Sequence, residues 1–140
     1  MSQKPFEVLF VDGNHENFDL LNEFPVEVRY GGKVHKLKDN IYHLMRGEVY
    51  EIEGKTFFAF GGATSVDKYM REEHVSWWHE EVYDKEELFN AISNLTEHEN
   101  LVFCGVCAFI YIKGVERKGT NHETRDDYDD AWYGCGACRV

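Results

Sequence analysis

Four cysteines near the end of the chain form two pairs, Cys104-Gly-Val-Cys107 and Cys135-Gly-Ala-Cys138. Two Cys-x-x-Cys pairs joined by a spacer are typical of a tetrahedral zinc site with four thiolate ligands. The small residue inside each pair lets the backbone turn tightly, so that both sulfurs can face one ion. We expect one structural zinc per chain, because four thiolates leave no open position for water.

The same cysteines also allow two disulfides, one redox-active pair or four free thiols. Disulfides are disfavoured in a reducing cytosol, and a thioredoxin-like pair is expected at the start of a helix that follows a strand. The residues after Cys107, AFIYI, favour a strand instead. Zinc is therefore the preferred interpretation.

A second stretch with chemical potential is VDGNHENF at residues 11–18, where Asn14 and His15 follow a glycine. Residues 6–11 are apolar enough for a buried strand, and residues 16–24 predict a short helix. The motif therefore lies in a turn between a strand and a helix. Taken alone, Asn14 and His15 fit a turn and a helix start, where asparagine caps well or adopts a left-handed conformation.

Acidic residues dominate the charge of the chain. The net charge is -11, from 26 acids against 15 Lys plus Arg, which argues against direct binding to nucleic acid because phosphate contacts need clustered cations. Residues 72–87 hold seven acids and one lysine, and residues 116–130 hold six acids and three bases. Both stretches fit either a solvated face or a surface that meets a positively charged protein groove. The second interpretation assigns partner binding to Glu72, Glu73, Trp77, Trp78, Glu80, Glu81, Asp126, Asp127, Asp129 and Asp130.

Length and composition indicate one globular domain. The 140 residues are 43% hydrophobic and 15% aromatic, which is enough for a core and too much for intrinsic disorder. The N-terminus, MSQKPFEVLF, has neither a signal-peptide pattern nor the ~20 apolar residues of a membrane helix. We expect a cytoplasmic protein that contacts no membrane.

The middle of the chain predicts an antiparallel sheet. Gly31-Gly32 and Glu53-Gly54 each stand between two strand-like runs, so each dipeptide predicts a tight hairpin. Residues 61–83 predict an irregular, loop-rich excursion.

Two helices flank these strands in the sequence. The second, DKEELFNAISNLTEH from residue 84, has the capping-box pattern of Asp84 and Glu87. After it, residues 101–114 return to strand-like composition. The pattern predicts an α+β fold with two or three helices and a mostly antiparallel sheet. The side chains expected to face inward are Phe18, Leu20 and Leu21 in the first helix and Leu88, Ile92 and Leu95 in the second.

From about residue 4 to residue 98 the chain resembles the calcineurin-like metallophosphoesterases, especially the compact versions of phage and mobile elements. The segments that carry the resemblance are VDGNHENFDLL, GGKVHKLKDNIYHLMRGEVYEIEGKTFFAFGGA and the later SWW followed by acids. In that family the Asn of Gly-Asn-His-Glu binds one of two metals and the His contacts phosphate. The resemblance implies these roles for Asn14 and His15, and half of the family's sandwich as the fold.

The active site of that family needs more ligands than this sequence offers. A two-metal hydrolase takes roughly six carboxylate, imidazole and amide ligands. In the family they come from two elements before the Asn-His motif and from Thr-His and Gly-His-x-His segments after it. Only 12 residues precede Gly13, and no His-x-His occurs in the sequence. We therefore expect Asn14 and His15 to be vestigial and the protein to have no catalytic residues.

These observations predict a single domain over residues 1–140. A phosphoesterase-like remnant at 1–99 would carry a zinc-binding tail at 100–140, packed on it as a zinc-knuckle hairpin that covers a bare sheet edge.

Two functions follow as hypotheses. The first is a non-catalytic, zinc-stabilised binding protein that inhibits a basic nucleic-acid-binding effector in a bacterial cytosol. Its small size, acidity and phage-type resemblance are similar to the profile of anti-CRISPR proteins that inhibit Cas9-type effectors. The alternative is a minimal metal-dependent phosphodiesterase or nuclease in which Asn14, His15, Asp12 and Glu16 form a reduced site.

Overall fold

The structure, a computed structural model, describes residues 6–105, 109–113 and 133–134. The last two ranges are described as backbone alone. Two α-helices lie in this part of the chain, α1 (Phe18–Glu23) and α2 (Lys85–Glu97), together with short 3-10 turns at Lys68–Met70 and His79–Glu81. The strands are β1 (Phe6–Phe10), β2 (Val26–Arg29), β3 (Gly32–Lys38), β4 (Ile41–Leu44), β5 (Val49–Ile52), β6 (Lys55–Ala59), β7 (Val102–Cys104), β8 (Phe109–Lys113) and β9 (Tyr133–Gly134).

The strands form two open sheets. The larger has the order β2-β3-β4-β1-β8-β9 and the smaller has the order β5-β6-β7. Neighbouring strands run antiparallel except for β1 with β4 and β6 with β7, which are parallel. The predicted α+β class with mostly antiparallel sheet is confirmed, whereas the phosphoesterase origin and the zinc hairpin stay predictions.

Both predicted hairpins are present, one of them displaced by a residue. Glu53 and Gly54 form the loop between β5 and β6 with positive φ angles of 50° and 74°, as a two-residue hairpin turn requires. In the other hairpin, the loop residues are Tyr30 and Gly31 instead of Gly31-Gly32. Gly32 belongs to β3, where it pairs with Arg29, and a Cβ atom there would lie 2.6 Å from the ring of Tyr50.

One cluster of buried side chains joins the two sheets. Leu9 and Leu44 come from the larger sheet, and Tyr50 and Phe57 come from the smaller one. Alternate residues of a strand face the same side, so each sheet presents one apolar face to the other. Burying such side chains contributes roughly 1.5–3 kcal/mol each, which makes this interface the main source of stability.

The helices bury less than their sequences predict. Phe18 and Leu21 of α1 are buried, but Leu20 is half exposed. Asp84 caps α2 in the predicted capping box with Glu87. The apolar face expected to point inward stays between 38% and 53% exposed at Leu88, Leu95 and Ile92. Of the residues of α2, only Ala91 is buried.

Strand β8, from the predicted tail, pairs antiparallel with β1 from Phe6 opposite Lys113 to Phe10 opposite Phe109. The tail thus supplies a strand to the larger sheet. Within the described residues, neither helix has the length and apolar character needed to cross a bilayer.

Candidate functional site

A cavity of about 560 Å³ opens where β1 and β4 end. Because these strands are parallel neighbours, their carboxyl ends meet at one edge of the sheet, the usual place for a site in such an arrangement. Helix α1 and the start of α2 complete the wall. The ionisable side chains that line the cavity include Asp12, His35, His43, Arg46, Glu48 and Glu87.

Asp12 and Arg46 form a buried ion pair in this wall. Nε and Nη2 of Arg46 donate hydrogen bonds to Oδ2 of Asp12 at 2.9 Å and 2.5 Å. Burial alone would raise the pKa of Asp12, but hydrogen bonds from His43 and Arg46 outweigh it and hold the pKa below its ordinary value. Asp12 is therefore a carboxylate although solvent does not reach it.

Two histidines extend this pair along the sheet. His35 and His43 are cross-strand partners of β3 and β4, and their rings stack with centroids 5.4 Å apart. Nε2 of His43 lies 3.1 Å from Oδ1 of Asp12, and Nδ1 of His43 lies 3.1 Å from Nδ1 of His35. In a hydrogen bond between two Nδ1 atoms, one must donate and the other must accept. The two Nδ1 atoms therefore cannot both carry a proton.

This relay can hold and move a proton. The described residues of the cavity wall include no serine, threonine or cysteine, although Lys33 and several carboxylates lie there. All three nitrogens of the Arg46 guanidinium already donate, to Asp12, to the carbonyl of Glu80 and to Glu87. An anionic substrate would find this arginine occupied, among several carboxylates. The arrangement favours a structural role for Asp12 and Arg46, and His35 can act as a base.

The residues of the phosphoesterase motif are each engaged with a different neighbour. Nδ2 of Asn14 donates to Oγ of Ser65 at 3.1 Å, and Nδ1 of His15 lies 3.1 Å from Nη1 of Arg71. Oε1 of Glu16 accepts a hydrogen bond from the amide of Gly13. Asn14 and His15 thus connect the turn after β1 to the loop at 61–76. Their role as vestigial ligands stays a prediction.

Ser65 is the centre of a second buried network. Its amide and hydroxyl donate to the carboxylate of Glu81 at 2.6 Å and 2.7 Å. Burial by itself raises the pKa of Glu81, and the two Ser65 hydrogen bonds reverse this effect, so that the pKa lies below its ordinary value. This carboxylate holds the start of the loop against the 3-10 turn at His79–Glu81.

The predicted partner-binding residues separate into surface and interior positions. Glu72 and Glu73 are exposed, and Trp77 and Glu80 are partly buried. Trp78 is buried against Phe18 and Leu21, and Glu81 is buried against Ser65, so these two side chains are unavailable to a partner. An alternation of charge and aromatic residues could not reveal this, because the segment has no regular periodicity. Asp126, Asp127, Asp129 and Asp130 lie outside the described residues.

Of the predicted zinc ligands, only Cys104 lies within the described residues. It ends β7 opposite Ala59 and is buried in the main core cluster. Cys107, Cys135 and Cys138 lie outside them. One other group of possible metal ligands occurs in the described part of the chain, formed by Glu73, His74 and His79.

Sequence reasoning missed the relay of Asp12, His43 and His35. A signal was available, because His35 and His43 each stand in a strand-like run, His43 among apolar residues, and Asp12 comes just after a buried strand. The parallel pairing of β1 with β4, which brings them together, was not predictable from local pattern.

Comparisons of the chain with protein-family models, with curated proteins and with solved structures find no match.

Proposed function

We propose that this protein is a non-catalytic binding protein that docks on a basic protein surface. The observation that carries the proposal is the exposure of large apolar side chains in one short segment. Val66, Tyr69 and Met70 are 94%, 90% and 85% exposed, and Val75 is also exposed. Large exposed apolar side chains that are concentrated in one segment commonly mark interaction sites. We call residues 66–80 the loop surface.

The charge of the loop surface supports a basic partner. Glu72 and Glu73 are exposed beside the apolar residues, and the whole chain carries a net charge of -11. Arg71 and Lys68 both interact with neighbours inside the segment. Arg71 forms an ion pair with Asp67, and Nζ of Lys68 lies 5.7 Å from the ring centroid of Trp77. A segment that exposes both apolar and acidic side chains complements a positively charged groove.

The loop surface is held in place by hydrogen bonds within it and by contacts with the interior. Nη1 of Arg71 donates to the carbonyl of Ser76 at 3.1 Å, and the amides of Ser76 and Trp77 donate to the carbonyl of Glu72. At its two ends, Ser65 bonds Glu81 and Trp78 packs on α1. A preorganised surface loses less entropy on binding than a flexible loop does.

Within this function, we propose a nucleic-acid-binding effector of the Cas9 type as the partner. Such effectors hold guide and target in a positively charged channel, which an acidic protein can occupy. The experiment measures target cleavage by a guide-loaded Cas9-type effector against increasing amounts of the protein, at low and high salt. Suppression at low salt that weakens at high salt is expected, because screening reduces the attraction. Unchanged cleavage at large excess, with no binding, rules this partner out.

A matched pair of variants tests the loop surface itself. Replacing Val66, Tyr69 and Met70 by serine removes these exposed apolar side chains, whereas Val28→Ser removes a residue that is 76% exposed on β2. The triple variant should lose binding to immobilised basic proteins at least tenfold, and Val28→Ser should bind as the wild type does. Equal binding by both variants contradicts the role of the loop surface, whichever basic protein is used.

We also propose that the four cysteines hold one structural zinc. The pairing of Phe109 with Gly134 supports this, since β8 begins two residues after Cys107 in sequence and Gly134 directly precedes Cys135. Metal analysis after purification without added zinc should give about one tightly held zinc per chain, lost in Cys135→Ser. Folded protein that contains no metal contradicts the proposal.

The alternative of a reduced phosphodiesterase has less support. Asp12, Asn14 and His15 each contact a different neighbour, and Asp12 is neutralised by Arg46. Hydrolysis of a generic phosphodiester with Mn²⁺ that disappears in His15→Ala would establish this activity in place of the binding function.

A further inference from the structure

We propose that Glu73, His74 and His79 form a surface site for a divalent transition-metal ion of the zinc class. One ligand atom from each residue lies within 4.8 Å of the other two. The site is separate from the cysteines and does not depend on the proposed binding function. Two imidazoles with one carboxylate suit zinc and its neighbours, whereas calcium and magnesium prefer oxygen ligands alone.

The separation of the ligand atoms fits one ion. Nδ1 of His79 lies 3.1 Å from Oε1 of Glu73, and two ligands that are each ~2.0–2.1 Å from a tetrahedral ion lie roughly 3.3 Å apart. The rings of His74 and His79 meet edge to face, with centroids 6.3 Å apart. All three residues are exposed, so water can occupy the remaining position.

The backbone brings these residues together before any ion binds. The backbones of Glu73 and Trp77 form an isolated β-bridge, and the amide of His74 donates to the carbonyl of Trp77 at 2.8 Å. His79 begins the 3-10 turn that follows. The site therefore needs little additional ordering when the metal binds.

Asp19 supports the site from α1. Its carboxylate lies 3.1 Å from Nδ1 of His74, and it accepts a hydrogen bond from Nε1 of the buried Trp78 at 2.8 Å. If Nδ1 of His74 donates to Asp19, then Nε2 keeps the lone pair that binds a metal. A carboxylate that orients a ligating imidazole in this way is common in metal sites.

Glu80 lies beside the same group of residues. Its Oε2 atom lies 3.3 Å from Nδ1 of His79, the nitrogen that also lies 3.1 Å from Oε1 of Glu73. A metal ion bound at Nδ1 of His79 would therefore lie close to a second carboxylate.

The test measures zinc binding beyond the metal that the protein already holds. Protein is purified, its metal content is determined, and added Zn²⁺ is followed by equilibrium dialysis and by NMR of the imidazole nitrogens. We expect one additional zinc per chain, with shifts at His74 and His79. The matched control is His98→Ala, since His98 is exposed and lies beyond the end of α2.

The variants decide between a site and adventitious histidine binding. The double variant His74→Ala with His79→Ala should lose the additional zinc, Glu73→Gln should bind it at least tenfold more weakly, and Asp19→Asn ~10–100-fold more weakly. Cys135→Ser should keep it. If the double variant does not fold, Glu73→Gln and the NMR shifts carry the test. No additional zinc, or equal binding by Glu73→Gln and His98→Ala, overturns the proposal.

Discussion

The guanidinium of Arg46 donates two hydrogen bonds to Oδ2 of Asp12, and both side chains are buried. Asp12 follows β1, and Arg46 follows β4. A third bond from Arg46 reaches Glu87 at the start of α2, 3.2 Å away. One arginine thus connects the carboxyl ends of two parallel strands to the following helix.

Replacing Asp12 by asparagine should destabilise the protein strongly. The change leaves the buried charge of Arg46 without its main counter-ion, and breaking such a pair costs about 3–5 kcal/mol. The free energy of unfolding, measured in urea, should fall by this amount. Asp39→Asn, in the exposed turn before β4, should change it by less than about 0.5 kcal/mol. A similar small loss in both variants would contradict the importance of the pair.

The stability of the protein should decrease as the pH falls from 7 to 5. Burial, followed by the like charge of His43, lowers the pKa of His35 below its ordinary value of 6.5. The unfolded chain then binds a proton in a pH range where folded His35 does not. The contribution of His35 to stability is therefore full above about pH 6.5 and is lost as the pH falls below it. Asp12 adds no slope in this range, because its lowered pKa lies below 3.8.

Unfolding in urea at pH 7, 6 and 5 measures this slope. His35→Asn should flatten it, whereas the exposed His98→Ala should leave it as in the wild type. The assignment to His35 would be refuted by a slope that is identical in His35→Asn and the wild type.

Gly61→Ala should be more harmful than Gly54→Ala. A Cβ atom at Gly61 would lie 2.6 Å from Cγ and 2.7 Å from the carbonyl oxygen of Asp12, so it would displace the buried ion pair at a cost of ~3 kcal/mol. Gly54 has open space around it but a φ of +74°, and an added Cβ there costs ~1 kcal/mol in strain. Thermal unfolding ranks the two variants, and the reverse order would show that the contact at Gly61 relaxes easily.

Glu81→Gln should loosen the loop surface without unfolding the protein. The charged acceptor of the Ser65 amide and hydroxyl is lost, and hydrogen bonds to a charged group contribute about 1.5–3 kcal/mol. Hydrogen exchange at the amide of Ser65 should become faster, and binding to a basic partner should weaken. Glu51→Gln, on an exposed position of β5, is the control. Unchanged exchange at Ser65 would mean that other contacts hold the loop.

Local pattern predicted the elements well where it reflected local physics. The turn at Glu53-Gly54 and the capping box of Asp84 with Glu87 depend on residues close in sequence, and both are confirmed. The inward face of α2 was wrong in degree, because helical periodicity shows which residues share a face but not what covers them. Trp78 and Glu81 are buried for the corresponding reason: an irregular loop has no period from which burial can be inferred.

The sequence by itself determined the α+β class, the hairpin at Glu53-Gly54, the capping box of α2 and the acidic character of this protein, since composition and short-range spacing control all of these. Only the tertiary structure decided that Asp12, His43 and His35 form a relay with Arg46, and that Glu73, His74 and His79 lie near one another with Asp19 against His74. These groups meet through the parallel pairing of β1 with β4 and the packing of the loop surface on α1. The relay joins residues far apart in sequence, and Glu73, His74 and His79 meet in an irregular loop that has no period, so no local pattern specifies either group.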